Sequence, residues 1–314
     1  MTFQDVETAR EAYHQKTKKG WLIIVGIMGV LLIAAIIFLL PKLLKNPGFW
    51  ALETIMPSFV LVFFIFMIGA IALSFATRKE AAAYRKAYKA YFVEQNLKNT
   101  FTDLRYSHEN GLEANILDAT GMINTGDRYS SNDLTIAKYK DVQFIQADAH
   151  IETEHTDSDG DTTYITIFRG RFMIFEFPKK FNFKLELIGH FGAASIPGKN
   201  QSTGRKMAKI STESTDFNHL FKIYAEDGFE AFYILDPAFM AKIEDISNRY
   251  KNRVLFGFTN NQLLIGLSDG KDSFEPPKAS KPIDEQAEMA KIRADIKVIT
   301  DFVDSLSLDR KLFK

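Results

Sequence analysis

Hydrophobic positions along this chain change their pattern twice. Trp21 to Leu40 is an unbroken run of twenty apolar residues, WLIIVGIMGVLLIAAIIFLL, with no charge, proline or amide. At about 1.5 Å per residue a helix of that length crosses the roughly 30 Å hydrocarbon core of a bilayer. A second run, Phe59 to Ala76, follows after a short loop, and neither run contains a charged residue. Ion and proton pathways need intramembrane polar groups, so a plain anchor is expected. The first run is too long for a signal-peptide core, and PKLLKNPGF after it lacks a small-x-small cleavage site. The reading divides the chain into a tail (1–20), a transmembrane hairpin (21–76, with spans 21–40 and 59–76), a juxtamembrane helix (77–100) and a further domain (101–314).

Beyond residue 101 the pattern becomes short β-branched and aromatic runs bounded by turn residues. Strands are expected at Leu112–Leu117, Leu134–Tyr139, Val142–His155, Thr162–Glu176, Phe183–Gly189, Lys209–Thr215, Phe221–Ala225 and Glu230–Leu235. Asp236-Pro237 should open a helix to about Lys251, the aspartate capping and the proline taking the first turn. A hairpin is expected next, Arg253–Phe258 and Gln262–Leu267 around the turn Thr259-Asn260-Asn261. Asp272 to Pro282, with Pro276, Pro277 and Pro282, reads as an exposed linker. A long helix then covers 284–307. Its residues Met289, Ile292, Ile296, Ile299, Val303 and Leu306 repeat at spacings of three and four. That seam fits either self-association or packing across the sheet. The fold class is therefore α+β: a two-helix transmembrane hairpin followed by a β-rich cytosolic domain with a long C-terminal helix.

Charge sets orientation. Arg10, Lys16, Lys18 and Lys19 precede the first span, and Arg78, Lys79, Arg85, Lys86 and Lys89 follow the second; the loop between has only Lys42 and Lys45. Positive flanks stay inside, so both termini are expected in the cytoplasm. The two tryptophans, Trp21 and Trp50, lie at the edges of the apolar stretches, where indole favours the headgroup boundary. Arg78–Gln95 reads as a helix with Tyr84, Tyr88 and Tyr91 on one face, flanked by Arg85, Lys86 and Lys89. These tyrosines and cations either meet the membrane interface or pack on their own domain. The whole chain balances 39 basic against 39 acidic residues, without the excess of a nucleic-acid binder. Cysteine is absent, which excludes disulfides and thiolate chemistry.

Candidate chemistry concentrates in Gln146–Asp161. In a strand Asp148, His150, Glu152 and Glu154 share a face and could ligate a divalent metal; a solvated strand face is the plainer alternative. Asp157, Asp159 and Asp161 have calcium-loop spacing, but Gly160 is in the fourth position and Phe168 in the twelfth, so a hairpin tip is the better fit. Gly198–Lys209 is a basic loop that misses the phosphate-loop spacing. HExxH and GxSxG are both absent. No metal or cofactor is expected, and the catalytic residues of any nonlocal site stay unassigned.

Four segments carry a family resemblance: Tyr129–Leu134 (YSSNDL), Phe168–Phe172 (FRGRF), Ser211–Ile243, and Leu255–Leu267 with SFEPP at Ser273–Pro277. In this order they resemble an uncharacterised bacterial membrane-protein family, catalogued as a domain of unknown function. The resemblance runs from about Tyr91 to Phe302 and implies a bacterial cell-membrane location, multi-pass, without implying any activity. The expected function is a membrane-tethered cytosolic binding or scaffold module, with the lipid bilayer and a protein as partners. Two alternatives are a membrane-anchored enzyme with a nonlocal site and a structural subunit of a larger membrane complex.

Overall fold

A computed structural model of the chain describes residues 1–45, 50–120, 123–189 and 207–308; the side chains of 39–45, 50–55, 178–179 and 181–182 lie outside that description. The chain divides into two units, Met1–Tyr91 with Pro276–Glu285, and Phe92–Glu275 with Gln286–Lys314.

The first unit is built on α1 (Phe3–Lys45) and α2 (Trp50–Tyr88). The predicted tail is thus the first part of α1, and the predicted juxtamembrane helix continues α2. The helices run antiparallel. Lys16 pairs with Glu80 at 2.6 Å, the rings of Trp21 and Phe66 lie 6.0 Å apart, and Ile24 packs on Gly69. A Cβ at Gly20 would sit 2.1 Å from a Leu73 methyl, so a larger residue there would require the Leu73 side chain to shift. Both helices are long and apolar enough to cross a membrane, and only 6% of each apolar window is buried.

The expected exposed linker is corrected. Ser273 and Phe274 are buried. Pro276–Glu285 is pinned within the first unit: Arg10 donates to the Ala279 carbonyl at 2.7 Å and pairs with Glu7 at 2.8 Å, while Glu7 accepts the Ile283 N–H at 3.0 Å. Tyr84 donates to the Pro277 carbonyl at 3.0 Å and Tyr91 to Glu285. The tyrosine stripe therefore follows the packing alternative. Tyr84, Tyr88 and Lys89 are buried, whereas Arg85 and Lys86 are exposed. Polar groups on this linker capture the tyrosine hydroxyls, a partner that spacing along the helix cannot reveal.

A short π-helical stretch (Lys89–Glu94) leads into the second unit's α3 (Gln95–Thr100), β1 (Thr102–Ser107) and α4 (Ala114–Thr120). Then come β2 (Arg128–Tyr139), β3 (Val142–Thr156), β4 (Thr162–Ile188) and β5 (Ala208–Ile210). The rest is α5 (Thr215–Leu220), β6 (Lys222–Ala225), α6 (Gly228–Ile234), α7 (Pro237–Arg249), β7 (Val254–Leu267) and α8 (Glu285–Leu306). The described strands form one antiparallel sheet in the order β1-β2-β3-β4-β6-β5, with β7 also on β4. Two expected strands are helices: Leu112–Leu117 overlaps α4 and Glu230–Leu235 overlaps α6.

β7 folds back on itself. Ser268 N–H donates to the Arg253 carbonyl at 3.0 Å, and Gly266 lies against Leu255. Asn260 at the bend has φ of 50°, so the chain turns where the hairpin is expected. β4 follows both arms, pairing Arg171–Glu176 with Leu267–Gln262 and Leu185–Ile188 with Phe258–Leu255. Register shifts between Glu176 and Leu185 carry β4 around the hairpin tip.

Strand alternation gives the sheet two faces. On one, Ala147, Ala149, Ile151, Phe172 and Ile174 pack with Leu117 of α4. The other carries Phe144, Gln146, Asp148, Arg171 and Phe175, with α8 on the same side. Within α8, Ile292, Ile296, Ile299, Val303 and Leu306 are buried, and Phe302 stacks on Tyr250 at 5.5 Å. Of the two readings of the seam, packing within its own chain is the one these buried residues follow. Half-buried Met289 receives a contact from the Asn96 amide at 3.0 Å. Burying five aliphatic side chains stabilises the helix by about 1.5–3 kcal/mol each.

Candidate functional site

A buried polar cluster lies on the α8 side of the sheet. A bulge in β2 puts Asp133 in a left-handed conformation, φ 57°. Aspartate tolerates that geometry, and the bulge directs its carboxylate inward, at 0% exposure. There it accepts from the Tyr106 hydroxyl at 2.5 Å and from the Asn132 amide at 2.8 Å. Asp148 on β3 faces Arg171 on β4, and one of its oxygens accepts from Ser273 N–H. Arg171 donates to the Asp295 carbonyl at 2.7 Å and to Ser273 Oγ at 2.5 Å. The cluster therefore staples the Asp272–Glu275 stretch and α8 to the sheet.

Its electrostatics follow from burial. Desolvation pushes the Asp148 carboxyl up to about 7; the Arg171 guanidinium opposes this, while Asp133 and Asp272 reinforce it. Burial and the neighbouring Asp133 hold the Tyr106 hydroxyl well above its ordinary value. Asp148 Oδ1 is buried with no hydrogen-bond partner among the described residues. Oxygen atoms of Asp133, Asp148 and Asp272 lie within 4.8 Å of one another, so these are the residues that could hold a cation.

That set differs from the expected one. Asp148 is regrouped with Asp133 and Asp272, away from its strand neighbours. His150 Nε2 shares a 2.9 Å hydrogen bond with Thr166 Oγ1 and lies 3.7 Å from Glu152. Glu154 is exposed and accepts from Tyr164 at 3.3 Å. The reason is the covering segment: Asp272–Phe274 lies over the inner end of the strand face and leaves its outer end in solvent. Asp157, Asp159 and Asp161 form the β3–β4 turn, with Asp157 Oδ1 accepting from the N–H groups of Asp159 and Asp161 at 3.0 and 2.9 Å. Most of the basic loop, Gly198–Lys206, lies outside the described residues.

A cleft of about 200 Å³ opens beside the ends of the β7 hairpin, lined by Thr166, Ile167, Phe168, Arg169, Arg253, Ser268 and Gly270. Gly170 has φ of 153°, and a Cβ there would lie 2.0 Å from the Leu267 carbonyl oxygen. Glycine thus lets the two strands close beneath the cleft. Asp148, His150, Glu152 and Glu154 do not line it.

Asp133, Asp272, Arg169, Arg171 and Arg253 are not among the candidate residues expected from sequence. The signals were present: YSSNDL contains Asp133, FRGRF holds Arg169 and Arg171, and SFEPP begins at Ser273. Trp21 is 41% exposed and packs on Phe66; Trp50 is the first residue of α2, and its side chain lies outside the described residues.

In comparison with known proteins, a family model matches part of the chain. Residues 166–308 match the model described as Protein of unknown function (DUF3137). This stretch holds Arg169, Arg171, Arg253, Asp272 and Ser273, while Asp133 and Asp148 precede it. No curated protein matches. Among solved structures, the mycobacterial trehalose monomycolate transport factor A, TtfA, aligns with a TM-score of 0.36 and 8% identity, over 73% of this chain and 96% of that one.

Proposed function

We propose that this chain is a membrane-tethered binding module, with α1 and α2 in the bilayer and the sheet domain presented to partners at the cytoplasmic surface of a bacterial cell membrane. The observation that carries the reading is the near-complete exposure of the apolar windows of α1 and α2, 6% buried in each. Bare apolar surface of that extent is stable in lipid and costly in water. In this reading Trp21 and Trp50 sit at headgroup level, and exposed Arg85 and Lys86 meet lipid phosphates.

Sidedness has a direct test, because the natural chain lacks cysteine. Asp159→Cys places one thiol on the exposed β3–β4 turn. In intact cells a membrane-impermeant maleimide should leave it unlabelled and should label it after permeabilisation. Full labelling of intact cells would put the domain outside. The binding role is tested by crosslinking in native membranes: a reproducible protein partner is expected, and repeated captures without enrichment over an untagged control contradict it.

A further inference from the structure

The cleft at the open end of the β7 hairpin has a composition that calls for a ligand. Its backbone is fixed: Gly270 N–H donates to the Arg169 carbonyl at 2.9 Å, and Ser268 N–H donates to the Arg253 carbonyl at 3.0 Å. Its two cations are not used. Among the described residues neither guanidinium has a hydrogen-bond or ion-pair partner, whereas Arg171, Arg249 and Arg293 each donate to an acceptor. Flanking Lys251 and Lys271 are exposed; of the two acidic residues of this loop, Asp269 accepts the Lys271 N–H at 3.1 Å and Asp272 accepts from the Asn132 amide at 3.3 Å. A chain balanced at 39 against 39 thus gathers positive charge around one concavity. Two like charges lining a space of about 200 Å³ repel each other, and an anion between them removes that cost. Guanidinium presents a planar fork of donors that matches an oxyanion, while the Ser268 hydroxyl is spent on the Arg169 backbone, donating to its carbonyl at 3.5 Å.

We propose that this cleft binds an oxyanion of the phosphate class between Arg169 and Arg253. The proposal goes beyond the tethering reading and does not depend on it. The phosphate could be free in solution or belong to a lipid headgroup; the chemistry at the arginines is the same.

Arginine-specific modification tests it on the full chain. The protein in detergent micelles is treated with phenylglyoxal across a series of inorganic phosphate concentrations, and each arginine is followed by peptide mass spectrometry. Phosphate should slow modification of Arg169 and Arg253 saturably, leaving exposed Arg105 unchanged. Arg253→Gln should weaken the protection of Arg169 about tenfold, the effect of losing one charge-assisted pair. Both arginines are exposed, so the variants should keep the wild-type unfolding midpoint. A second arm compares vesicles of phosphatidylcholine with vesicles containing phosphatidylglycerol, without added phosphate. Protection confined to the phosphatidylglycerol vesicles assigns the anion to a headgroup; protection by phosphate in micelles assigns it to a free ion. No protection in either arm, equal protection of Arg105, or protection of Arg169 unaffected by Arg253→Gln overturns the proposal.

Discussion

At the scale of single residues, the buried Arg171 is the group on which most depends. It bridges the sheet, Ser273 and α8 through bonds that no apolar side chain replaces. Arg171→Met should destabilise the protein by about 3–5 kcal/mol, because it strands buried acceptors, and denaturant unfolding would measure the loss. Asp148 makes a second residue-scale statement. Its folded-state value, about 7, lies above the ordinary 3.8. A raised carboxyl favours the protonated folded state, so its contribution is complete below pH 3.8 and is lost as pH rises towards 7. Glu186, pushed by burial to about 7 from 4.5, acts in the same direction. The unfolding midpoint should therefore carry a falling component across that window. Asp148→Asn should flatten it, and an unchanged slope in both Asp148→Asn and Glu186→Gln would show that neither carboxyl titrates there.

At the scale of elements, caps and seams decide. Asp236 accepts from Phe239 N–H at 2.8 Å at the start of α7, so Asp236→Ala should cost about 1 kcal/mol in thermal or chemical unfolding. Ile296 is buried in the α8 seam. Ile296→Ala should cost about 2–5 kcal/mol while leaving the size of the detergent-solubilised particle unchanged; a change in oligomeric state would restore the self-association reading. These elements also show what the sequence made legible. α7 was readable because Asp-Pro carries its own start signal, and the β7 hairpin because Asn260 marks its turn. α8 was readable as a helix, with burial and self-association both open, because the same seam serves a dimer and a sheet. α4 and α6 were missed for a local reason. Both are seven residues long, too short for a 3.6 period to emerge from aliphatic and aromatic composition. At α6 the deciding feature is Asp227, whose carboxylate takes the N–H groups of Phe229 and Glu230 at 2.8 and 3.2 Å. The candidate sites were missed because they are assembled from distant segments. A β2 bulge, a β4 arginine and the stretch before α8 meet at Asp148, and no spacing along the chain records that meeting.

At the scale of the whole molecule, the solvent around α1 and α2 decides the rest. Their apolar windows, longer than a buried core helix needs and nearly unburied, make a solvent of lipid the consistent environment. Everything proposed about sidedness and partners follows from that placement. The most direct measurement is the fate of the full-length chain in membranes washed with alkaline carbonate, followed by extraction with mild detergent. The intact chain should stay in the washed pellet and leave it only with detergent. Recovery of the uncleaved chain as a monodisperse particle in the detergent-free supernatant would contradict it.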